Sequence, residues 1–281
     1  MKVRRQDYSC LFFYYAGFSR MREFVFRALE KPTVRILVFH DVSSRLAASF
    51  RAQIGYLKEK ANIAGLNDIL EGRISFDRPN VAVTFDDGHR SWIDIVAPAL
   101  EEFGVSATFF VSSGFIGLRS GAEAEFERNK LKRNKKTTGS LSVEGLKKLV
   151  EMGFTIGGHT RNHVNLAAIR GRDELLDEII GDKQDLERLT GGKVEYFSYP
   201  FGIYRNERFD LAEVLKEAGY RGAVTVVSGP NAPGANAYLL RRDIVDASMP
   251  LPVFKARLHG NQDATAFLRK LLRMERHTPS A

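Results

Sequence analysis

Two short runs hold the side chains best suited to hydrolytic chemistry. Thr84-Phe85-Asp86-Asp87-Gly88 places two adjacent carboxylates behind an apolar stretch. Neighbouring side chains at the end of a strand diverge, so one carboxylate can bind a cation while the other takes a proton from water. Asp-Asp-Gly is equally a common turn sequence. Gly157-Gly158-His159-Thr160-Arg161-Asn162-His163 sets two histidines four apart. On a helical turn or tight loop that spacing lets both rings face one way, as a shared metal requires. The plainer alternative is two surface or capping histidines. Two His and one Asp would give three protein ligands and leave a position open for water, as catalytic metal sites do.

Composition limits how such a site can be built. The chain has 281 residues, and its one cysteine, Cys10, excludes an intrachain disulfide and a cysteine-rich zinc site. A metal must therefore be held by His and carboxylate. The net charge of +8 favours anionic partners. The excess gathers in residues 1–31, 128–136 and 269–276, which otherwise read as solvated basic segments. They carry no recognisable docking motif, so nucleic acid is not an expected partner.

The elements that must position these residues follow from apolar patterning. Residues 34–39, 81–85, 107–111, 154–156, 194–199 and 223–227 read as strands, with a seventh over 238–240. Helices are predicted over 50–60, 92–103, 142–151, 173–189 and 207–218, with a last one over 252–258. Residues 117–140 are polar and basic and read as a long loop. Regular alternation predicts an α/β fold with a mostly parallel sheet, either open or closed. Asp86, His159 and Pro200 each follow a strand end, and a barrel of parallel strands gathers such positions at one rim.

The paired motifs carry a resemblance. TFDDG at 84–88 and HTRNH at 159–163 resemble the first two motifs of the polysaccharide deacetylases, carbohydrate esterase family four with its NodB homology domain. Tyr199-Pro200-Phe201-Gly202 is similar to the third motif. The resemblance covers roughly residues 34–260. It implies a distorted (β/α) barrel of seven parallel strands and a divalent metal, zinc foremost, with cobalt, nickel or manganese as alternatives. It also implies removal of acetyl groups, N-acetyl above all, from a carbohydrate or polysaccharide, and the basic run at 128–136 would suit an anionic glycan or a lipid-linked precursor. Carried over position by position, Asp86 is the general base and Asp87, His159 and His163 are the metal ligands. Tyr199, Pro200 and Phe201 serve substrate and oxyanion, the latter through the Phe201 N–H.

Two positions depart from the family pattern. The arginine that pairs with the catalytic Asp is replaced by Ser198, and Arg241 or Arg242 could supply the guanidinium instead. The general acid expected on a late Leu-x-His motif is matched only loosely by Leu258-His259. His40, in Leu37-Val38-Phe39-His40-Asp41-Val42, is similar to the Y-H-x-V start of the permuted branch typified by biofilm poly-N-acetylglucosamine deacetylases, and is the expected acid. His89 could line the site, though a helix-start position is the plainer reading. Phe115 and Tyr204 are candidate walls of a sugar subsite, or core residues.

The domain is expected over 33–262, with a basic extension at 1–32 and a basic tail at 263–281. Within the extension, residues 12–29 read as an amphipathic helix, packed on the domain or lying on an anionic membrane surface. A cytoplasmic location, peripheral to the inner membrane face, is the corresponding expectation. A non-catalytic carbohydrate-binding protein and a hydrolase of non-sugar amides are the competing functions.

Overall fold

The computed structural model describes residues 33–75, 77–133 and 137–259. The expected helix at 12–29 and the tail at 263–281 lie outside the described residues. In chain order the elements are β1 (Val34–Phe39), α1 (Ala47–Lys60), β2 (Asn62–Ile63), α2 (Leu66–Leu70), β3 (Asn80–Asp87), α3 (Ala97–Phe103) and β4 (Thr108–Val111). Then follow α4 (Ser120–Asn129), α5 (Val143–Glu151), β5 (Thr155–Gly158), α6 (Arg172–Leu176), α7 (Asp182–Thr190), β6 (Tyr196–Ser198), α8 (Leu211–Glu217), β7 (Gly222–Val224), β8 (Asp243–Ile244) and α9 (Leu251–Leu258).

Seven strands pair in the order β7-β6-β5-β4-β3-β1-β8, all parallel, and β2 adds to the start of β3. The ring closes through the segment leading into β8. Leu240 donates its N–H to Ala223 at 3.0 Å and accepts from Thr225 at 2.7 Å. Three residues later Asp243 pairs with Leu37 of β1. One bridge on the β7 side makes this a distorted α/β barrel, as expected.

Strand alternation sorts the core into two layers. Ile36, Ala82, Phe110, Tyr196, Val224 and Leu240 fill the barrel interior, with Leu66 of α2 among them. Phe39, Phe85, Phe109 and Phe197 face outward and pack with helix residues such as Phe50, Ile54, Leu146 and Leu186. Asp86 and Arg242 fall on the inward parity. Among the described residues no helix is long and apolar enough to cross a membrane.

Four expectations need correction. The loop expected over 117–140 contains α4, whose Phe126 packs with Phe115 and Leu131 in a small core of its own; Ala and Glu in SGAEAEFERN favour helix over the polar loop reading. The helix expected from 207 begins at Leu211, because the Asp210 carboxylate caps Ala212 and Glu213. The strand expected over 238–240 reduces to one bridge at Leu240, with the regular pairing at 243–244. The helices expected over 92–103 and 173–189 each carry a widened five-residue turn, at Trp92–Val96 and Asp177–Gly181.

Candidate active site

β3 runs on through both aspartates, so Asp86 and Asp87 are strand residues and not the turn after it. Asp86 points into the barrel. Arg242, fully buried, donates Nη1 and Nη2 to its two oxygens at 2.7 and 2.6 Å. The Ser198 hydroxyl donates to Oδ2 at 3.1 Å and accepts from Arg242 Nη2 at 2.7 Å. Arg242 Nε donates to the Thr225 carbonyl at 2.8 Å, and the guanidinium lies 5.5 Å from the Phe110 ring centroid. Of the two candidate arginines, Arg242 thus reaches Asp86 while Arg241 is exposed. Burial alone would raise the Asp86 pKa; the charge of Arg242 overrides it and holds the carboxyl below the usual range.

Asp87 turns the other way, at a φ of 95° that ends the strand. Its Oδ1 lies 3.4 Å from His163 Nε2 and 3.7 Å from His159 Nε2. Its Oδ2 accepts from His89 Nε2 at 3.2 Å and from Arg133 Nη2 at 3.0 Å. Burial pushes this carboxyl up, but the His89 hydrogen bond and the surrounding histidines hold it well below the carboxylate range. One oxygen is therefore fixed by the protein and the other is turned to the histidine pair.

Each histidine is held by its other nitrogen. His159 Nδ1 lies 2.6 Å from the Ser198 carbonyl, and His163 Nδ1 lies 3.1 Å from the Lys130 carbonyl. A carbonyl only accepts, so both Nδ1 atoms carry hydrogen and the neutral form of each ring presents its lone pair at Nε2. Burial lowers the His159 pKa to about 4, which keeps that lone pair free at neutral pH. The ligand atoms of Asp87, His159 and His163 all lie within 4.8 Å of one another. Three buried donors of these types suit a divalent cation with an open position.

The remaining candidates spread around this centre. Phe39 pairs with Phe85 across β1 and β3, which sets His40 level with Asp86. His40 is half-buried, and burial lowers its pKa against the opposing charges of Asp87 and Asp86. The next residue, Asp41, accepts from Ser91 Oγ and from Thr138 Oγ1 and N, tying the segment after α4 to the site. Phe201 sits at a φ of 59°, 41% exposed, with its ring 4.6 Å from that of His163. Pro200 is buried beside it. Tyr199 is 1% exposed and bonds the Tyr238 carbonyl, so its side chain belongs to the core and offers no face to a substrate. Phe115 is likewise fully buried, stacked on Phe126, whereas Tyr204 is half-buried. His259 bonds Tyr56 of α1.

Comparison with known proteins completes this picture. The polysaccharide deacetylase family description matches residues 73–223. This chain belongs to the polysaccharide deacetylase family. It is therefore a hydrolase of the type that cleaves C–N bonds in acetylated sugars. It is 26% identical over 241 residues to the Bacillus subtilis protein YxkH, provisionally described as a polysaccharide deacetylase, covering 81% of this chain and 77% of that one. It is 30% identical over 128 residues to a peptidoglycan-N-acetylglucosamine deacetylase of Bacillus cereus, covering 45% of this chain and 38% of that one. The fold is similar to that of IcaB from Ammonifex degensii, with a TM-score of 0.64 at 24% identity, covering 82% of this chain and 97% of that one. The segment matching the deacetylase description holds both aspartates and both histidines, but His40 precedes it and Arg242 follows it.

Sequence reasoning missed Arg133, Glu178 and Asp182, and it favoured the plainer of two readings for His89. A helix start is the plainer reading of His89, yet its ring is fully buried on Asp87. Arg133 lies in a basic run that reads as a solvated segment or as a contact for an anionic partner. Asp182 left one signal: Leu175, Ile179, Asp182 and Leu186 recur at helical spacing and are all buried, so Asp182 stands on an apolar stripe.

Proposed function

We propose that this chain is a divalent-metal-dependent deacetylase that removes acetyl groups, N-acetyl above all, from a carbohydrate polymer. The observation that carries the metal assignment is the buried Asp87–His159–His163 set, with each Nε2 freed by a carbonyl bond on Nδ1. Zinc is the favoured ion for a His-His-Asp set; cobalt, nickel or manganese use the same donors. A bound cation of this kind polarises a carbonyl and acidifies water.

The chain's own residues divide the other tasks. Asp86 takes the proton of the attacking water. Arg242 and Ser198 keep its carboxylate ionised and fixed in one orientation. The backbone N–H of Phe201, in the positive-φ turn beside His163, donates to the developing oxyanion. His40, level with Asp86 across β1 and β3, gives its proton to the leaving nitrogen. Burial makes its protonated form the stronger acid. The exposed Phe201 ring offers an apolar face at the rim for a sugar.

Acetate release across a panel of N- and O-acetylated oligosaccharides, with and without chelator, tests this reading. Release from N-acetylated sugars that chelator abolishes supports it. Metal uptake with no release from any acetylated glycan would favour a binding protein of the same fold instead.

A further inference from the structure

Asp87 and His159 are not on neighbouring strands. Asp87, Val111 and Gly158 form one row across β3, β4 and β5, so the end of β4 lies between the two residues. Their separation is set by how the chain leaves β4 at Ser112 and Ser113. That turn is bonded on both sides. Ser112 donates its N–H to the Asp87 carbonyl at 3.2 Å and its Oγ to the His159 carbonyl at 3.0 Å.

The turn and the histidine loop both hang from one side chain. Asp182, 0% exposed at the start of α7, accepts the Ser113 N–H on Oδ1 and the His159 N–H on Oδ2, each at 2.9 Å. The widened turn Asp177–Gly181 just before it brings further acceptors to the same loop. Glu178 takes the Asn162 N–H at 2.9 Å and its side-chain amide at 2.7 Å. Thr160 and His163 have φ of 59° and 49°, backbone states that persist only where neighbouring groups hold them.

We infer that Asp182 is a positioning residue: its two carboxylate oxygens tie the β4 turn to the His159 backbone and so set the distance between Asp87 and His159. This rests on the metal-site reading proposed above. Asp182 touches neither substrate nor metal; it acts through the backbone of His159 and Ser113. Asp182→Asn keeps size and shape but replaces one acceptor with an NH2 group facing an N–H.

The test uses the full chain, stripped of metal, with zinc affinity measured by competition against a chromogenic chelator and the visible spectrum recorded after cobalt loading. Asp182→Asn is expected to weaken zinc binding about 10-fold or more and to shift the cobalt bands. Ser112→Ala removes the parallel bond between the same turn and the His159 carbonyl and serves if Asp182→Asn does not fold; its expected loss is several-fold. Leu57→Ala, on α1, controls for general destabilisation and should lower melting temperature with zinc affinity unchanged. Wild-type affinity and cobalt spectrum in Asp182→Asn and Ser112→Ala would overturn the inference, as would an equal loss in Leu57→Ala. A wild-type chain that takes up no metal would overturn the metal reading itself, an outcome separable because no variant enters it.

Discussion

Asp86 and Asp87 are consecutive, both buried, and both held below the usual carboxylate pKa, yet they are supported from different parts of the molecule. Asp86 is held from inside the barrel by Arg242, 156 residues away, and by Ser198. The Arg242 part of that support exists only when the segment leading into β8 closes the ring. Asp87 is held from the rim, by His89 two residues on and by Arg133 beyond α4. The same segment after α4 supplies the Lys130 carbonyl that fixes His163. The difference teaches that one strand end can serve two tasks because alternation sends its last two side chains into separate environments, one closed by the barrel and one by the segment after α4.

The largest effect that would break this comparison is on turnover. Asp86→Asn should lower turnover by about 10²–10⁴-fold while metal content stays at the wild-type level. Asp87→Asn should lose the metal as well. Equal metal loss in both would merge the two tasks and contradict the division.

Next comes stability. Arg242→Met leaves a buried carboxylate without its partner and should destabilise the fold by about 3–5 kcal/mol in chemical denaturation. Pairing it with Asp86→Leu should recover much of that loss. The same test at the rim should differ, because Arg133 is partly exposed: Arg133→Gln should leave the midpoint nearly unchanged. Its effect, and that of His89→Ala, belongs on metal affinity, about 10–100-fold weaker for His89→Ala.

The smallest effect is a titration. His159 has a folded pKa of about 4 against an ordinary 6.5, lowered by burial. Between those values the unfolded chain binds a proton there and the native chain does not, so this group makes the metal-free fold lose stability as pH falls from 6.5 towards 4. Its imidazole resonances in the metal-free protein should remain those of a neutral ring until the pH nears 4. A midpoint near 6.5 would contradict its buried, carbonyl-bound placement.

Much of the fold was legible because alternating apolar runs and helix caps are local signals: β1 and α5 with its Ser142 cap fall where patterning sets them. The two motifs were legible as a candidate ligand set because each is short and each lies at the end of a strand. Arg242 was legible only as one of two arginines. Parity decides between them, since Leu240 faces the interior and the residue two on must follow it. What the sequence did not show depends on distant approach. Helix α4 was hidden by the basic residues after it. His89 and Asp182 look like ordinary polar residues until the turns beside them bring Asp87 and His159 within hydrogen-bond range.

The central claim is that one cation at Asp87, His159 and His163 drives deacetylation. Titrating zinc into the chelator-stripped chain, with acetate release from an N-acetylated oligosaccharide followed at each addition, tests it directly. The account predicts that activity rises with added zinc and levels off at one equivalent. Full activity in the stripped chain, with no response to zinc, would contradict it.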